Sequence, residues 1–431
     1  MKLEKLALFN GKKLIKKKFK KYISIDKKEK QVALRVLNKG VLSDFLGEKN
    51  PKFYGGEQVQ KFESFLKKYF KVKHAITTNS WTSGLVAAVG AIGIEPGDEV
   101  IVTTWTMCAT ATAILHWNAI PVFADIDDET YTIDPKSIEK NISKNTKAII
   151  TVDIYGHPTN MKEILKLAKK YKLKVISDSA QAPGALYYNS YAGTLADIGG
   201  FSLNCHKHIN TGEGGILVTN NDTYAERLRL IRNHAEAVVD ETVNNNTPNM
   251  LGYNFRLGEM ESAIGIEQIK KLKSKVKKRQ QIAKKLSKEL SKLKGIKTPT
   301  IKKNCTHSFY IYAIQVDEKL IGVPKKKIFK ALKAEGLENI LDSYFNLHLL
   351  PMYKKKIAYG TKGFPWSSNI CKREIKYGKG VCPVSEKLNK EKLILLELCV
   401  HEYNNKEVEL VIKCFKKVWA NLNYLKKYKF N

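Results

Sequence analysis

The sequence predicts an α/β fold, in which a mostly parallel sheet is flanked by helices and followed by a smaller C-terminal α+β domain. From about residue 74, short β-rich runs alternate with amphipathic helical runs, a pattern typical of a parallel sheet. Near Lys275 this alternation gives way to long lysine-rich helical segments. The 431 residues are enough for one large and one smaller domain, each with its own apolar core.

In chain order, the predicted strands of the large domain are residues 74–78, 99–104, 121–124, 147–153, 174–177, 197–202 and 216–219. Helical periodicity covers residues 82–92 and 106–117 and a third run near residue 165, whose apolar residues fall on one helical face. We place an N-terminal arm at 1–30, the large domain at 31–275 and the small domain at 276–431.

The sequence of the small domain contains fewer patterns that predict secondary structure. A β-type stretch covers residues 308–315, and we predict helices from there to the C-terminus. Two segments, 357–366 and 380–386, look loop-rich and unlike helix. Loops of this kind often shape the entrance to a binding site.

Composition predicts a soluble cytoplasmic protein. No apolar run reaches the roughly 18 to 20 residues of a membrane helix, and residues 1–11 show no secretory signal. The seven cysteines are scattered, and none forms a CxxC pair. A zinc ribbon and a disulfide scaffold are therefore not expected, and no metal site is predicted. A reducing compartment fits this cysteine usage best.

The formal net charge of +33 raises the alternative of nucleic-acid binding. Only seven of the 75 basic residues are arginine, the usual choice for bidentate phosphate recognition. Lysine is spread over nearly every predicted helix, which indicates a compositional bias. The densest cluster, residues 12–21, is more typical of a solvated arm than of a nucleic-acid contact. The positive field still favours anionic small molecules as ligands.

Lys207 is the strongest candidate for a reactive residue. It lies between the predicted strands 197–202 and 216–219, beside the glycine-rich turn 212–215. A partly desolvated amine has a lowered pKa and can form a Schiff base with a carbonyl. On spacing alone, the chance placement of one lysine among many remains an alternative.

Several polar residues follow the ends of predicted strands, where open α/β sheets bind ligands. Asp178 closes one strand, and Ser202 lies on the strand that leads to Lys207. The segment 79–84 joins a strand to a helix, and amides at a helix N-terminus with nearby hydroxyls bind phosphate. Ordinary helix capping explains that segment equally well. An amine, a carboxylate and a phosphate cradle are the three features that pyridoxal 5′-phosphate requires.

Six motifs occur in order along the chain: Gly55-Gly56 before Phe62-Glu63, then residues 96–102, 121–126 and 178–181, Lys207 with 212–215, and 252–256. In these motifs the sequence resembles the pyridoxal-phosphate-dependent sugar aminotransferases of the DegT/DnrJ/StrS type. The resemblance is strong over about residues 30 to 275 and weaker beyond. It implies the fold type I aminotransferase architecture, with a mostly parallel seven-stranded sheet.

The resemblance implies roles for individual residues. Lys207 would hold the cofactor covalently and then move a proton once substrate has displaced it. Asp178 would pair with the protonated ring nitrogen, and Gln181 would contact the side of the ring that carries the hydroxyl. Thr82 and Ser202, with the backbone amide of Trp81, would bind the phosphate.

The resemblance also implies a homodimer with composite sites, because Asn254 matches a residue that reaches the phosphate from the partner subunit. Arg256 would either hold the nearby loop or touch the ligand. A related branch of dehydratases has histidine in place of the lysine. Since Lys207 is in register here, an aminotransferase is favoured, with His206 and His208 as loop hydrogen-bonding residues rather than bases.

Two positions depart from the family pattern. Trp81 stands where the family usually has a small residue, so the phosphate loop is expected to differ in shape. Met107 stands where an aromatic ring usually stacks on the cofactor; a thioether covers that face with less π contact. Trp105 is a possible substitute for that ring, although a core position suits it better.

The expected function is amino transfer in two steps. Glutamate or glutamine would donate the amino group, and the acceptor would be the keto carbon of a nucleotide-linked deoxy sugar used in polysaccharide or glycan synthesis. The run Cys382–Glu386 is similar to a run found in family members that act on free cyclic ketones. A keto-cyclitol or a small ketone phosphate is therefore an alternative acceptor. A cofactor-binding regulatory or nucleic-acid-binding protein is the alternative from another functional class.

Overall fold

The computed structural model describes residues 4–239 and 251–428. Its strands are β1 His74–Thr78, β2 Glu99–Thr103, β3 Ile120–Ala124, β4 Thr146–Val152, β5 Lys174–Asp178, β6 Leu186–Tyr187, β7 Ser190–Tyr191, β8 Ile198–Ser202, β9 Gly215–Thr219, β10 Ile296–Lys297, β11 Ile311–Val316, β12 Ile340–Leu341 and β13 Leu393–Glu397. The seven predicted strands of the large domain are all present, each within one or two residues of its predicted bounds.

The helices are α1 Lys27–Lys39, α2 Glu57–Phe70, α3 Trp81–Ala91, α4 Ala109–His116, α5 Pro135–Asn141, α6 Met161–Tyr171, α7 Asp222–Arg232, α8 Glu259–Leu290, α9 Glu318–Ile321, α10 Lys325–Ala334, α11 Pro351–Lys354, α12 Pro383–Lys387, α13 Asn405–Ala420 and α14 Leu422–Lys427. Within the described ranges, no helix combines the length and apolarity needed to cross a membrane. The same ranges contain no group of three or more His, Cys, Asp or Glu side chains that could hold a metal ion.

The large sheet has seven strands in the order β1-β9-β8-β5-β4-β2-β3. Neighbours from β8 to β3 run parallel, whereas β9 is antiparallel to both β8 and β1. The mostly parallel sheet expected from the sequence is therefore confirmed. Strands β2, β3, β8 and β9 are buried along their whole length, as expected of strands covered by helices on both faces.

A second, antiparallel sheet has four strands in the order β10-β11-β13-β12 and packs with C-terminal helices around its own core. The predicted β-type stretch near residue 310 is confirmed as β11. The prediction that only helices follow it was wrong, because residues 393–397 form β13 at the centre of this sheet. The predicted loop 380–386 was wrong in part, because α12 begins at Pro383.

The predicted domain boundary at 275/276 falls inside the continuous helix α8. Leu272 and Val276 pack in a core cluster of the large domain, while Leu286 and Leu290 pack in the core of the small domain. Helix α8 thus contributes residues to both cores, and the domain boundary at 275/276 stays a prediction. The N-terminal arm is only partly solvated, because Leu6 and Ile15 are buried in the small-domain core between exposed lysines.

Candidate active site

The strand topology brings three of the predicted segments to one edge of the large sheet. Strands β1 and β8 are both antiparallel to β9, so they share a direction with each other and with β5. Their carboxyl ends therefore meet at the same edge, as the sequence predicted. Asp178 ends β5 and pairs with Gly200, and Ser202 ends β8 and pairs with Gly215.

Asp178 is a buried carboxylate that accepts three hydrogen bonds. Its Oδ1 accepts hydrogen bonds from the Trp81 indole Nε1 at 2.7 Å and from the Ala180 amide at 3.1 Å. Its Oδ2 accepts a hydrogen bond from the Thr110 hydroxyl at 2.8 Å. Burial raises the pKa of Asp178, and these three donors together with the amine of Lys207 oppose that rise. A carboxylate has about four acceptor sites, so it can still accept another hydrogen bond.

The Lys207 amine lies over the ring of Tyr310, with Nζ 4.3 Å from the ring centroid. Burial lowers the pKa of Lys207, and the negative charge of Asp178 is the main opposing influence. A lowered pKa increases the fraction of neutral, nucleophilic amine near neutral pH. Each charge acts on the pKa of the other group: Asp178 raises the pKa of Lys207, and Lys207 lowers the pKa of Asp178.

The indole of Trp81 points into the protein, where only 6% of the residue is exposed. It occupies a slot between two glycines. A Cβ built on Gly84 would lie 2.8 Å from Trp81 Cε3, and one on Gly200 would lie 2.2 Å from Cζ3. Trp81 is nevertheless the first residue of α3, and Ser80 caps this helix by accepting the Ser83 amide. The large residue therefore leaves the helix N-terminus at the sheet edge intact.

This slot gives a stability prediction. In Gly200→Ala the new methyl carbon would lie 2.1 Å from the Ile216 carbonyl oxygen as well as against Trp81. We expect the free energy of unfolding to fall by about 3 kcal/mol or more, measured by urea denaturation. Gly47→Ala is the matched control, because its Cβ would be 3.7 Å from the nearest atom. Equal stability of the two variants would contradict a tightly filled slot.

The predicted phosphate residues lie close together. Gly215 is the pairing partner of Ser202 and lies very close to Ser80. A Cβ built on Gly215 would be 2.5 Å from the carbonyl oxygen of Ser80. The N-terminal turn of α3, with exposed Thr82, is therefore beside the end of β8. The Ser202 hydroxyl accepts the Asn204 amide at 3.2 Å, which leaves its own proton to be donated.

Gln181 is buried and bonded at both ends of its amide. Its Oε1 accepts the Tyr155 backbone amide at 2.8 Å, and its Nε2 donates to the Tyr344 hydroxyl at 3.1 Å. The Nε2 group carries a second hydrogen that can be donated elsewhere. Gln181 thus connects the segment after Asp178 to Tyr344 in the C-terminal part of the chain.

The two candidates for covering a cofactor ring differ in exposure. Met107 is 51% exposed just before α4, whereas Trp105 is fully buried. The Trp105 indole donates to the Tyr155 hydroxyl at 2.6 Å and stacks on Tyr344. The interpretation of Trp105 as a core residue is confirmed, which leaves Met107 as the exposed side chain at this position.

Asn254 is exposed beside the start of α3, where its carbonyl accepts the Asn79 side-chain amide at 3.4 Å. Arg256 donates from Nε to Asn254 Oδ1 at 3.0 Å, and its Nη2 lies 3.1 Å from His234 Nε2. These contacts favour the loop-holding role for Arg256.

The two histidines beside Lys207 have different environments. His206 is exposed, whereas His208 is buried and places Nε2 2.8 Å from the Ser308 carbonyl oxygen. Burial holds the pKa of His208 well below its usual value, so this ring is neutral and donates to that carbonyl. The predicted hydrogen-bonding role is confirmed for His208.

Sequence reasoning missed three residues of the site: Thr110, Tyr310 and Tyr344. Thr110 carried a weak signal, since it is a polar residue among the apolar residues of α4. Tyr310 precedes β11 and Tyr344 lies in a loop clamped by Asn389, which donates to the Tyr344 carbonyl and accepts its amide. Nothing in the local sequence of either tyrosine indicates a place beside Asp178 and Lys207.

The profile of the DegT/DnrJ/EryC1/StrS aminotransferase family matches residues 45–394. The spore coat polysaccharide biosynthesis protein SpsC of Bacillus subtilis is 33% identical over 81% of this chain and 89% of its own length. GDP-perosamine synthase of Caulobacter vibrioides is 33% identical over 69% of this chain and 79% of its own length. The crystal structure of Helicobacter pylori PseC, an aminotransferase involved in the biosynthesis of pseudoaminic acid, superposes with a TM-score of 0.75 at 27% identity, covering 94% of this chain and 99% of that one.

Fold and site together define a fold type I aminotransferase that uses pyridoxal 5′-phosphate. The chain belongs to the DegT/DnrJ/EryC1/StrS aminotransferase family. The residues present fit the cofactor. Asp178 retains acceptor capacity for a ring N–H, and Lys207, whose pKa is lowered by burial, follows the neighbouring strand β8. Helix α3 directs its N-terminus to the sheet edge for an anionic group.

Proposed function

We propose that this aminotransferase moves an amino group from glutamate or glutamine to the keto carbon of a nucleotide-linked deoxy sugar, for polysaccharide or glycan synthesis. The observation that carries the proposal is the placement of two groups after neighbouring strands: the buried carboxylate of Asp178 ends β5, and Lys207 follows β8 with its amine over the ring of Tyr310. When bound, the cofactor supplies an electron sink for the carbon that loses a proton during amino transfer.

In this proposal Lys207 does two things. Its neutral amine attaches the cofactor before the amino donor arrives, and the released amine then carries a proton between the two carbons that exchange the nitrogen. Tyr310 supports this role, because its ring lies against Nζ and covers one side of the amine. Only the neutral amine can accept a proton, and the lowered pKa of Lys207 increases the fraction of amine that is neutral.

Asp178 would offer its negative charge to the ring nitrogen, which favours the protonated, electron-withdrawing ring. Thr82, Ser202 and the Trp81 amide would hold the phosphate at the N-terminus of α3, where the helix dipole favours an anion. Gln181 would donate its remaining N–H to the hydroxyl side of the ring, and Met107 would cover one face.

The choice of acceptor is supported by the relatives. They include enzymes named for GDP-perosamine synthesis and for spore coat polysaccharide biosynthesis, and both match this chain over more than two thirds of its length. The strongly cationic surface is compatible with an anionic substrate such as a nucleotide sugar. A keto-cyclitol or small ketone phosphate remains the second candidate, since the run Cys382–Glu386 favours it.

We also propose a cytoplasmic homodimer in which Asn254 serves the site of the partner subunit. Large apolar residues lie exposed on and after α1, including Leu34, Leu37 and Leu42, each about half exposed or more. Exposed apolar surface of this kind is typical of a subunit interface. The seven cysteines are all free thiols, as expected in a reducing compartment. The molar mass in solution tests the dimer.

The function is tested by single-turnover amination. The purified enzyme is converted to its amino form with glutamate, freed of donor, and mixed with nucleotide-linked 4-keto-6-deoxy sugars, 3-keto sugars, a keto-cyclitol or a small ketone phosphate. We expect a nucleotide-linked keto sugar to consume the amino form stoichiometrically, seen as the change in cofactor absorbance. Turnover of the cyclitol or the ketone phosphate alone would replace the proposed acceptor, and salt-sensitive DNA binding without any turnover would favour the nucleic-acid alternative.

A further inference from the structure

We propose that the side chain of Trp81 is a positioning residue for Asp178: its indole N–H fixes the carboxylate in the orientation that meets the cofactor ring. The contact joins Nε1 and Oδ1 at 2.7 Å, and only 4% of Asp178 and 6% of Trp81 are exposed. This inference rests on the proposed role of Asp178 and extends it to a residue whose side chain has no role in the family pattern described above.

The position of the indole is built by the fold. Gly84 on α3 and Gly200 on β8 each lack the side chain that would occupy the space of the ring. Gly200 on β8 is also the pairing partner of Asp178 on β5. The same glycine therefore leaves space for the indole and lies directly opposite the residue that carries the carboxylate. A tryptophan held in this way cannot rotate its N–H away from Asp178 without a clash.

The three donors divide between the two carboxylate oxygens. Oδ1 accepts from Trp81 and Ala180, and Oδ2 accepts from Thr110, so rotation about the last side-chain bond would break contacts on both sides. Hydrogen bonds to a carboxylate also favour its charged form, which offsets part of the cost of burial. The indole therefore contributes both orientation and retained charge.

Trp81→Phe tests this inference, because phenylalanine keeps an aromatic ring in the glycine slot but has no N–H donor and a smaller volume. Trp117→Phe is the matched control. Trp117 is also 6% exposed, packs against Gly90, and donates its indole N–H at 2.8 Å to a backbone carbonyl, that of Val86, rather than to Asp178. Both variants lose one buried indole hydrogen bond and similar packing volume.

Two quantities are measured: the dissociation constant of pyridoxal 5′-phosphate, by titrating the apo-protein, and the pH at which the holoenzyme loses cofactor on acidification. We expect Trp81→Phe to weaken cofactor binding about tenfold, as for a lost hydrogen bond to a charged group. Loss of this donor raises the pKa of Asp178 further, so the carboxylate is neutralised at a higher pH. The acid midpoint of cofactor loss should therefore move to higher pH, whereas Trp117→Phe should leave both quantities unchanged.

Equal cofactor affinity and an equal acid midpoint in the two variants would overturn the positioning role, even if both are less stable. Failure of the wild-type protein to bind the cofactor covalently would instead sink the proposed function itself, so the two failures are distinguishable. If Trp81→Phe does not fold, Gly84→Ala replaces it. A Cβ there would lie 2.8 Å from the indole and displace it, and an unmoved acid midpoint in that variant would count equally against the inference.

Discussion

Lys207→Ala is expected to abolish the absorption band of the lysine-bound cofactor and to lower the amino-transfer rate by at least about 10³-fold. The physical reason is that one group performs both roles: the amine attaches the cofactor and later carries the proton. Burial lowers the pKa of this amine, and its Nζ lies over the ring of Tyr310. Absorbance spectra of the protein with added cofactor, and single-turnover rates with glutamate, measure the two effects.

Lys275→Ala is the matched control, because a reactive aldehyde also attaches non-specifically to lysines of low pKa. Burial and the nearby charge of Arg279 lower the pKa of Lys275, yet this side chain lies over Tyr22 rather than beside Asp178. The control should keep the band and the activity. If the band survives in Lys207→Ala and disappears in Lys275→Ala, the assignment of the attachment residue is wrong.

The strands and helices of the large domain could be predicted from the sequence because their signals are local. The parallel strands are short runs rich in apolar residues and bounded by turn residues, and an amphipathic helix such as α6 repeats its apolar positions on one face. Strand β13 was missed for the same reason. The run Leu393–Glu397 is short, apolar and surrounded by helical lysine-rich sequence, so periodicity alone does not distinguish a buried strand from a helical segment.

Some residues of the candidate site could likewise be predicted from the sequence, and others could not. Lys207, Asp178 and the start of α3 follow strands directly, so topology alone brings them to one edge of the sheet. Thr110, Tyr310 and Tyr344 reach that edge through the packing of elements that are distant in sequence, and no local pattern indicates such contacts. The inward direction of Trp81 depends on the absence of a side chain at Gly200, more than 100 residues later, which only the folded structure relates to it.

Asp178→Asn is expected to lower the amino-transfer rate by about 10²- to 10³-fold while cofactor attachment to Lys207 persists. The substitution preserves volume but removes the negative charge that keeps the ring nitrogen protonated. It also introduces an NH2 group, which must face Thr110, whose hydroxyl can accept, because the Trp81 indole can only donate; the amide then offers no charged acceptor to the ring. The rate loss should therefore come with weaker cofactor binding, measured by titrating the apo-protein.

Asp153→Asn separates this effect from the general cost of altering a buried carboxylate. Asp153 lies beside Asp178, and burial raises its pKa in the same way, but its oxygens accept hydrogen bonds from the Ser179 hydroxyl and the Thr159 amide. We expect this variant to lose stability and to keep most of its rate. The two variants should also differ in cofactor affinity: only Asp178→Asn should weaken binding, because only Asp178 accepts hydrogen bonds from Trp81 and Thr110 at the edge of the sheet. A rate within a few-fold of wild type in Asp178→Asn would mean that the ring nitrogen does not depend on this carboxylate, and the role assigned to it would have to be abandoned.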